Sequence, residues 1–135
     1  MNDINPSPLS GLRILVVEDE FMIADLLAFM LEDLGCHVIG PFADVPSSLK
    51  AIEDYSVDAA LLDANLGDSS TSAPVAKALQ ALDLPFVVAT GYGSLVLDDE
   101  TLDRAPRVTK PFVEHELEAA LRAAFSRSPV VKTSL

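Results

Sequence analysis

The chain has 135 residues, which suits one domain and leaves little room for a second. Nine Lys and Arg residues stand against 21 Asp and Glu residues, and the net charge of −12 argues against binding to nucleic acid or to an anionic membrane. Half of the residues are hydrophobic, and no apolar run approaches the roughly 18 residues that a membrane span requires. Because the single cysteine, Cys36, cannot form an internal disulfide, we predict a cytoplasmic protein.

The two ends of the chain differ in composition from its middle. Residues 1–11 include prolines, serines and a glycine, and they predict a flexible leader. Residues 128–135 predict a short polar tail. We therefore expect one folded domain over residues 12–127.

Short apolar runs alternate with helical patterns between these ends. In chain order the elements are a strand over 12–17, a helix over 21–34, a strand over 36–39, a helix over 45–52, a strand over 57–62, a helix over 75–82, a strand over 85–89, a weak helix within 93–102, a strand over 107–109 and a helix over 117–125. Gly35 is expected to end the first helix, Gly40-Pro41 to stop the second strand, and Asp44 to cap the second helix.

The alternation of strands and helices indicates five β–α units. Near-continuous apolar strands are typical of a parallel sheet that is covered on both faces. The predicted class is therefore α/β, with a doubly wound five-stranded parallel sheet and helices on both faces. In such sheets a functional site lies outside the carboxyl ends of the strands.

Polar residues follow four of the five predicted strands. In chain order they are Glu18, Asp19 and Glu20, then Asp63 and Asn65, then Thr90 and Gly91, and finally Lys110 and Pro111. Each group taken alone is ordinary, since an Asp after a strand usually caps a turn or a helix. Their joint placement after successive strands of one sheet indicates a shared crevice.

The chemistry of this crevice follows from its residue types. Glu18, Asp19 and Asp63 repel one another unless a cation lies between them, and oxygen ligands favour Mg²⁺, with Mn²⁺ as the alternative. Lys110 adds a positive charge and Thr90 a hydroxyl. A metal ion, an ammonium group, a hydroxyl and a carboxylate nucleophile are the parts that phosphoryl transfer needs.

Four segments carry a resemblance to a known family. They are Leu15–Glu20, Leu61–Leu66, Ala89-Thr90-Gly91 and Lys110-Pro111-Phe112. In this order they resemble the receiver domain of bacterial response regulators, and the likeness covers about residues 11–127. The resemblance implies a flavodoxin-like (β/α)5 receiver with strand order 2-1-3-4-5.

The resemblance also implies a role for each site residue. Asp63 would accept a phosphoryl group from a histidine kinase or a phosphotransfer protein. Thr90 would move toward that group, and Lys110 would pair with it. The implied Mg²⁺ ligands are Glu18, Asp19, Asp63 and the backbone carbonyl of Asn65.

A narrower likeness concerns residues 85–93, Pro-Phe-Val-Val-Ala-Thr-Gly-Tyr-Gly. This segment is similar to the motif of the alphaproteobacterial single-domain regulators called FAT GUY, which are associated with general stress signalling. Val88 stands where those proteins have Phe, and Gly93 where they have Tyr. Many receivers carry a switching aromatic where this chain has Arg107, so we hypothesise that Tyr92 reports phosphorylation instead. Gly67 replaces a proline common in the family, which we interpret as a minor change that loosens the loop.

Three functions remain open at the level of sequence. The first is a stand-alone, monomeric response regulator that signals through protein contact or competes for phosphoryl groups, and that catalyses only its own phosphorylation and dephosphorylation. We therefore expect no output domain after residue 127. The second is a small aspartyl-phosphate phosphatase, which Asn65 disfavours because such enzymes carry an acid there. The third is a binding module that works without phosphorylation.

Overall fold

A computed structural model of the protein describes residues 9–67, 70–91, 97 and 99–126. Its strands are β1 (Arg13–Val17), β2 (His37–Phe42), β3 (Ala59–Asp63), β4 (Phe86–Thr90) and β5 (Arg107–Thr109). Its helices are α1 (Phe21–Asp33), α2 (Val45–Asp54), α3 (Ala73–Ala81), α4 (Glu100–Asp103) and α5 (Glu114–Ser126). The strands pair in parallel in the order β2-β1-β3-β4-β5, which confirms the predicted fold.

Each face of the sheet carries its own hydrophobic cluster. On β1, Ile14 and Val16 pack with residues of α1 and α5, whereas Leu15 and Val17 pack with residues of α2 and α3. All five residues of β3 are buried, because this strand lies near the middle of the sheet with helices on both sides. Burial on both faces explains why the strands are continuous apolar runs.

Strand β2 is longer than the sequence indicates. The prediction that Gly40-Pro41 ends the strand is wrong, because β2 continues to Phe42 through a register shift opposite β1. Gly40 adopts a φ of 106°, and β2 lies at the edge of the sheet, where a proline is tolerated. Phe42 lies opposite Val17, and its carbonyl accepts the N–H of Glu18 at 2.9 Å, which fixes the backbone just after β1.

The ends of the other strands and helices lie close to the predicted ones. Asp63 and Thr90 are the last residues of their strands rather than the first residues after them. The predicted weak helix within 93–102 corresponds, in the described part of the chain, to the four residues of α4. Asp99 caps α4 by accepting the N–H groups of Thr101 and Leu102 at 2.9 and 3.3 Å.

The ends of the domain are described only in part. Residues 1–8 and 127–135 lie outside the described residues, so the leader and the tail stay predictions. Leu9 is buried in the core, and the Gly11 N–H donates to the Gly35 carbonyl at 2.8 Å. Within the described ranges, no helix has the length and apolar composition to cross a membrane.

Two leucines near the end of α3 offer a test of the packing. Leu79 is fully buried, and Leu82, three residues later, is exposed. We expect Leu79→Ala to lower the free energy of unfolding by about 3 kcal/mol, through lost burial and the cavity it leaves. Leu82→Ala should cost about 0.5 kcal/mol or less. Urea titration measures both, and equal losses would contradict the assignment of the α3 face.

Candidate functional site

Three predicted acidic residues meet at the carboxyl edge of the sheet. One carboxylate oxygen from each of Glu18, Asp19 and Asp63 lies within 4.8 Å of the others. Glu18 and Asp63 are buried, and Asp19 is exposed. The cluster therefore has two acids enclosed by protein and one that faces the solvent.

Glu18 is the most tightly held member of the cluster. It is 2% exposed, and its Oε2 accepts the N–H of Glu20 at 3.2 Å. Its Oε1 accepts a hydrogen bond from Lys110 Nζ at 3.0 Å. Both carboxylate oxygens are thus engaged, and the side chain has a defined orientation.

Lys110 lies between the two buried acids. Its Nζ is 3.0 Å from Glu18 Oε1 and 3.3 Å from Asp63 Oδ2. Burial opposes its charge, but the hydrogen bond to Glu18 and the charges of both acids raise the pKa of Lys110 above its usual value. Its backbone N–H donates to the Thr90 carbonyl at 2.8 Å, which anchors the residue to β4. Lys110 therefore remains an ammonium group at the centre of the site.

Asp63 has an unusual protonation equilibrium. Burial, together with a hydrogen bond to Glu18 and that residue's negative charge, raises the pKa of Asp63 to about 7. The charge of Lys110 and the N–H of Asn65, which donates to Asp63 Oδ1 at 3.2 Å, oppose this rise. The carboxyl group thus changes charge near neutral pH when no cation is bound.

Thr90 lies at the same edge of the sheet. Asp63 is opposite Ala89 in the register of β3 and β4, so Thr90 is one residue further along the neighbouring strand. Its side chain is buried, with 1% of the residue exposed. Asn65 is exposed and forms a bridge with Thr71, which folds the loop after β3 back on itself.

Of the two proposed switch residues besides Thr90, the structure describes Arg107 but not Tyr92. Tyr92 lies outside the described residues, and its role stays a prediction. Arg107 begins β5, and its Nη2 is 2.9 Å from Asp103 Oδ1 and 3.1 Å from the Asp103 carbonyl. The same Asp103 Oδ1 accepts the N–H of Leu97 at 2.8 Å. Arg107 is thus tied to α4 and to the segment before it, a link that the sequence analysis missed.

Helix α1 presents an apolar surface that the sequence analysis also missed. The buried side carries Leu27 and Met30, whereas four large apolar side chains point outward. Their exposed fractions are 80% for Phe21, 82% for Met22, 50% for Leu26 and 63% for Phe29. The sequence of α1 could have predicted this surface. Its apolar residues lie on almost every side of the helix, whereas a solvated helix normally has one polar face. We call these four residues the α1 patch.

Comparison with known proteins agrees with this geometry. A family model of the response regulator receiver domain matches residues 14–122. The transcriptional regulatory protein TcrA of Mycobacterium tuberculosis is 34% identical over 125 residues, which is 90% of this chain and 49% of TcrA. The solution structure of SdrG from Sphingomonas melonis Fr1 is 40% identical with a TM-score of 0.74, and the match covers 84% of this chain and 96% of that one. The PhyR stress response regulator is 26% identical with a TM-score of 0.77, over 90% of this chain and 48% of that one.

The chain belongs to the response regulator receiver domain family. It is similar to receivers of two-component regulators, which are phosphoacceptor signalling proteins and mostly not enzymes. The chain spans about half the length of the curated relatives it matches.

The raised pKa of Asp63 predicts a pH dependence of stability. In the unfolded chain this carboxyl has its usual value of 3.8, so between about pH 4 and 7 the folded state binds more protons than the unfolded state. Stability from this group is therefore present at low pH and is lost as the pH rises toward 7. We expect Asp63→Asn to be increasingly more stable than wild type from pH 4 to pH 8, by up to about 4 kcal/mol in total. Urea titrations in EDTA measure this, and a constant difference would contradict it.

Proposed function

We propose that the protein is a single-domain response regulator of a two-component phosphorelay, which accepts a phosphoryl group on Asp63 and signals through protein contact. The observation that carries the proposal is the cluster of Glu18, Asp19 and Asp63 with Lys110 bridging the two buried acids. A carboxylate nucleophile and a fixed ammonium group in one crevice suit phosphoryl transfer.

The cluster also fits a hard divalent cation. Among the His, Cys, Asp and Glu residues that the structure describes, the cluster consists of three acids, and Mg²⁺ prefers such carboxylate oxygens, which Mn²⁺ also accepts. Glu18, Asp19 and Asp63 would hold the ion, with the Asn65 carbonyl as a fourth ligand. When bound, the ion supplies positive charge that offsets the negative oxygens of the phosphoryl group.

Three residues have separate roles in the proposed transfer: Asp63, Lys110 and Thr90. An ionised Asp63 oxygen forms a bond to phosphorus as the bond between phosphorus and the histidine nitrogen of the kinase breaks, and that nitrogen keeps the electron pair. Lys110 offsets the negative charge of the incoming phosphoryl group, since its Nζ lies 3.3 Å from Asp63 Oδ2. Thr90 then moves to donate its hydroxyl hydrogen to a phosphoryl oxygen. Water later hydrolyses the acyl phosphate and restores Asp63.

The α1 patch supports a protein rather than a small molecule as the phosphodonor. It begins at Phe21, two residues after Asp19, so it borders the site directly. Large exposed apolar patches on soluble proteins commonly mark protein interfaces. A histidine kinase or phosphotransfer protein that reaches Asp63 would cover this helix.

Other observations concern the biological role and the two alternative functions. Likeness to the PhyR stress response regulator supports a role in general stress signalling. Asn65 disfavours the phosphatase alternative, because an amide cannot serve as a general acid. The complete set of acids, Thr90 and Lys110 disfavours a module that works without phosphorylation. We further propose a cytoplasmic monomer with one domain over residues 12–127.

Phosphorylation of Asp63 is the direct test. Incubation with Mg²⁺ and acetyl phosphate should add one phosphoryl group that is stable in acid and labile in base, as seen by intact-mass spectrometry. Asp63→Asn should gain none, because an amide is not a nucleophile here, and EDTA should abolish labelling of wild type. Asp54→Asn, on the exposed side of α2, is the matched control and should label normally. Equal labelling of Asp63→Asn would overturn the proposal.

We further propose that Arg107 acts in the switch together with Thr90 and Tyr92, through its link to Asp103. Arg107→Gln removes the ion pair and weakens the hold of Asp103 on the Leu97 N–H, so exchange of that amide should accelerate about tenfold. Arg104→Gln is the control, because Arg104 pairs only with the exposed Glu100 among the ion pairs described. Hydrogen exchange followed by NMR measures both. Unchanged exchange at Leu97 in Arg107→Gln would remove Arg107 from the switch.

A further inference from the structure

Gly67 lies beside the exposed acid of the cluster. Its φ is +79°, a conformation that glycine adopts freely and that proline cannot adopt. A Cβ atom at this position would lie 3.1 Å from Asp19 Oδ2. The space that a side chain would fill is therefore the space next to a carboxylate oxygen of the proposed cation site.

The loop around Gly67 has little freedom to move away from Asp19. The Leu66 side chain is buried, and its N–H donates to the Ser70 carbonyl at 2.9 Å. The Ser70 N–H donates back to the Gly67 carbonyl at 2.7 Å. Asn65 and Thr71 bridge the base of the loop. The described backbone around Gly67 is thus held by hydrogen bonds within the loop and by the buried Leu66 side chain.

Asp19, by contrast, can give way. It is exposed, whereas Glu18 and Asp63 are buried and held by Lys110. A side chain at position 67 would push Asp19 Oδ2 by a few tenths of an ångström and rotate the carboxylate. The Asp19 carboxylate would then leave the orientation in which it contributes one oxygen to the cluster.

We infer that Gly67 is a positioning residue for Asp19, and that the absence of its side chain sets the affinity of the site for a divalent cation. Gly67 does this without contacting the cation. The inference rests on the proposed function, because it concerns the same cation site. If the inference holds, glycine in place of the proline common in the family is more than a minor change in the loop.

Cation binding in the absence of any phosphodonor tests the inference. Free Mn²⁺ is counted by electron paramagnetic resonance, and Mg²⁺ affinity follows from competition. We expect Gly67→Ala to weaken Mn²⁺ binding about tenfold, the scale seen when groups that orient metal ligands are altered. Gly11→Ala is the matched control, since Gly11 has a φ of +85° but nothing within 4 Å of the added Cβ. It carries the same backbone strain and should bind Mn²⁺ as wild type does.

A double variant identifies the contact responsible. In an Asp19→Ala background the carboxylate is gone, so adding Gly67→Ala should cause no further loss of Mn²⁺ affinity. If Gly67→Ala fails to fold, Gly67→Asn supplies a Cβ in a residue that tolerates positive φ. Wild-type affinity in Gly67→Ala would overturn the inference and leave the proposed function standing. Absence of Mn²⁺ binding by wild type would overturn both.

Discussion

The site depends on one compensated charge cluster. Glu18 and Asp63 are buried next to each other, which is unfavourable for two ionised carboxyl groups, and Lys110 lies between them at 3.0 and 3.3 Å. This arrangement leaves Asp63 with a pKa of about 7 and Lys110 firmly charged. The carboxyl groups thus outnumber the single ammonium group at this edge of the sheet, and the proposed cation site rests on that imbalance.

The architecture of the sheet makes this cluster possible. Parallel strands bring their carboxyl ends to one edge, so residues 45 positions apart, such as Glu18 and Asp63, become neighbours. The bulge in β2 adds a further constraint, since Phe42 fixes the backbone of Glu18. Burial of both sheet faces supplies the rigidity, because β3 carries Asp63 at the end of an entirely buried strand.

The sequence predicted the strands and the sheet, because each strand is a short apolar run. It also predicted which polar groups lie at the carboxyl edge of the sheet, because each of them stands at or just after the end of a strand. It mispredicted the end of β2, since proline and glycine stop most strands but not a bulged strand at a sheet edge. It missed the contact of Arg107 with Asp103, because the pair joins a helix to a strand rather than two turns of one helix. It also missed the α1 patch, since periodicity shows which positions are apolar but not which of them are buried against another element.

The order of residues along the chain specifies which chemical groups follow which strand, and that order indicates a phosphoacceptor receiver. How those groups act on one another depends on the folded arrangement. The distance of Lys110 from two acids, the raised pKa of Asp63 and the approach of Gly67 to Asp19 all depend on contacts between distant segments. Electrostatic and steric interactions vary steeply over a few ångströms, and linear spacing does not encode separations at that scale.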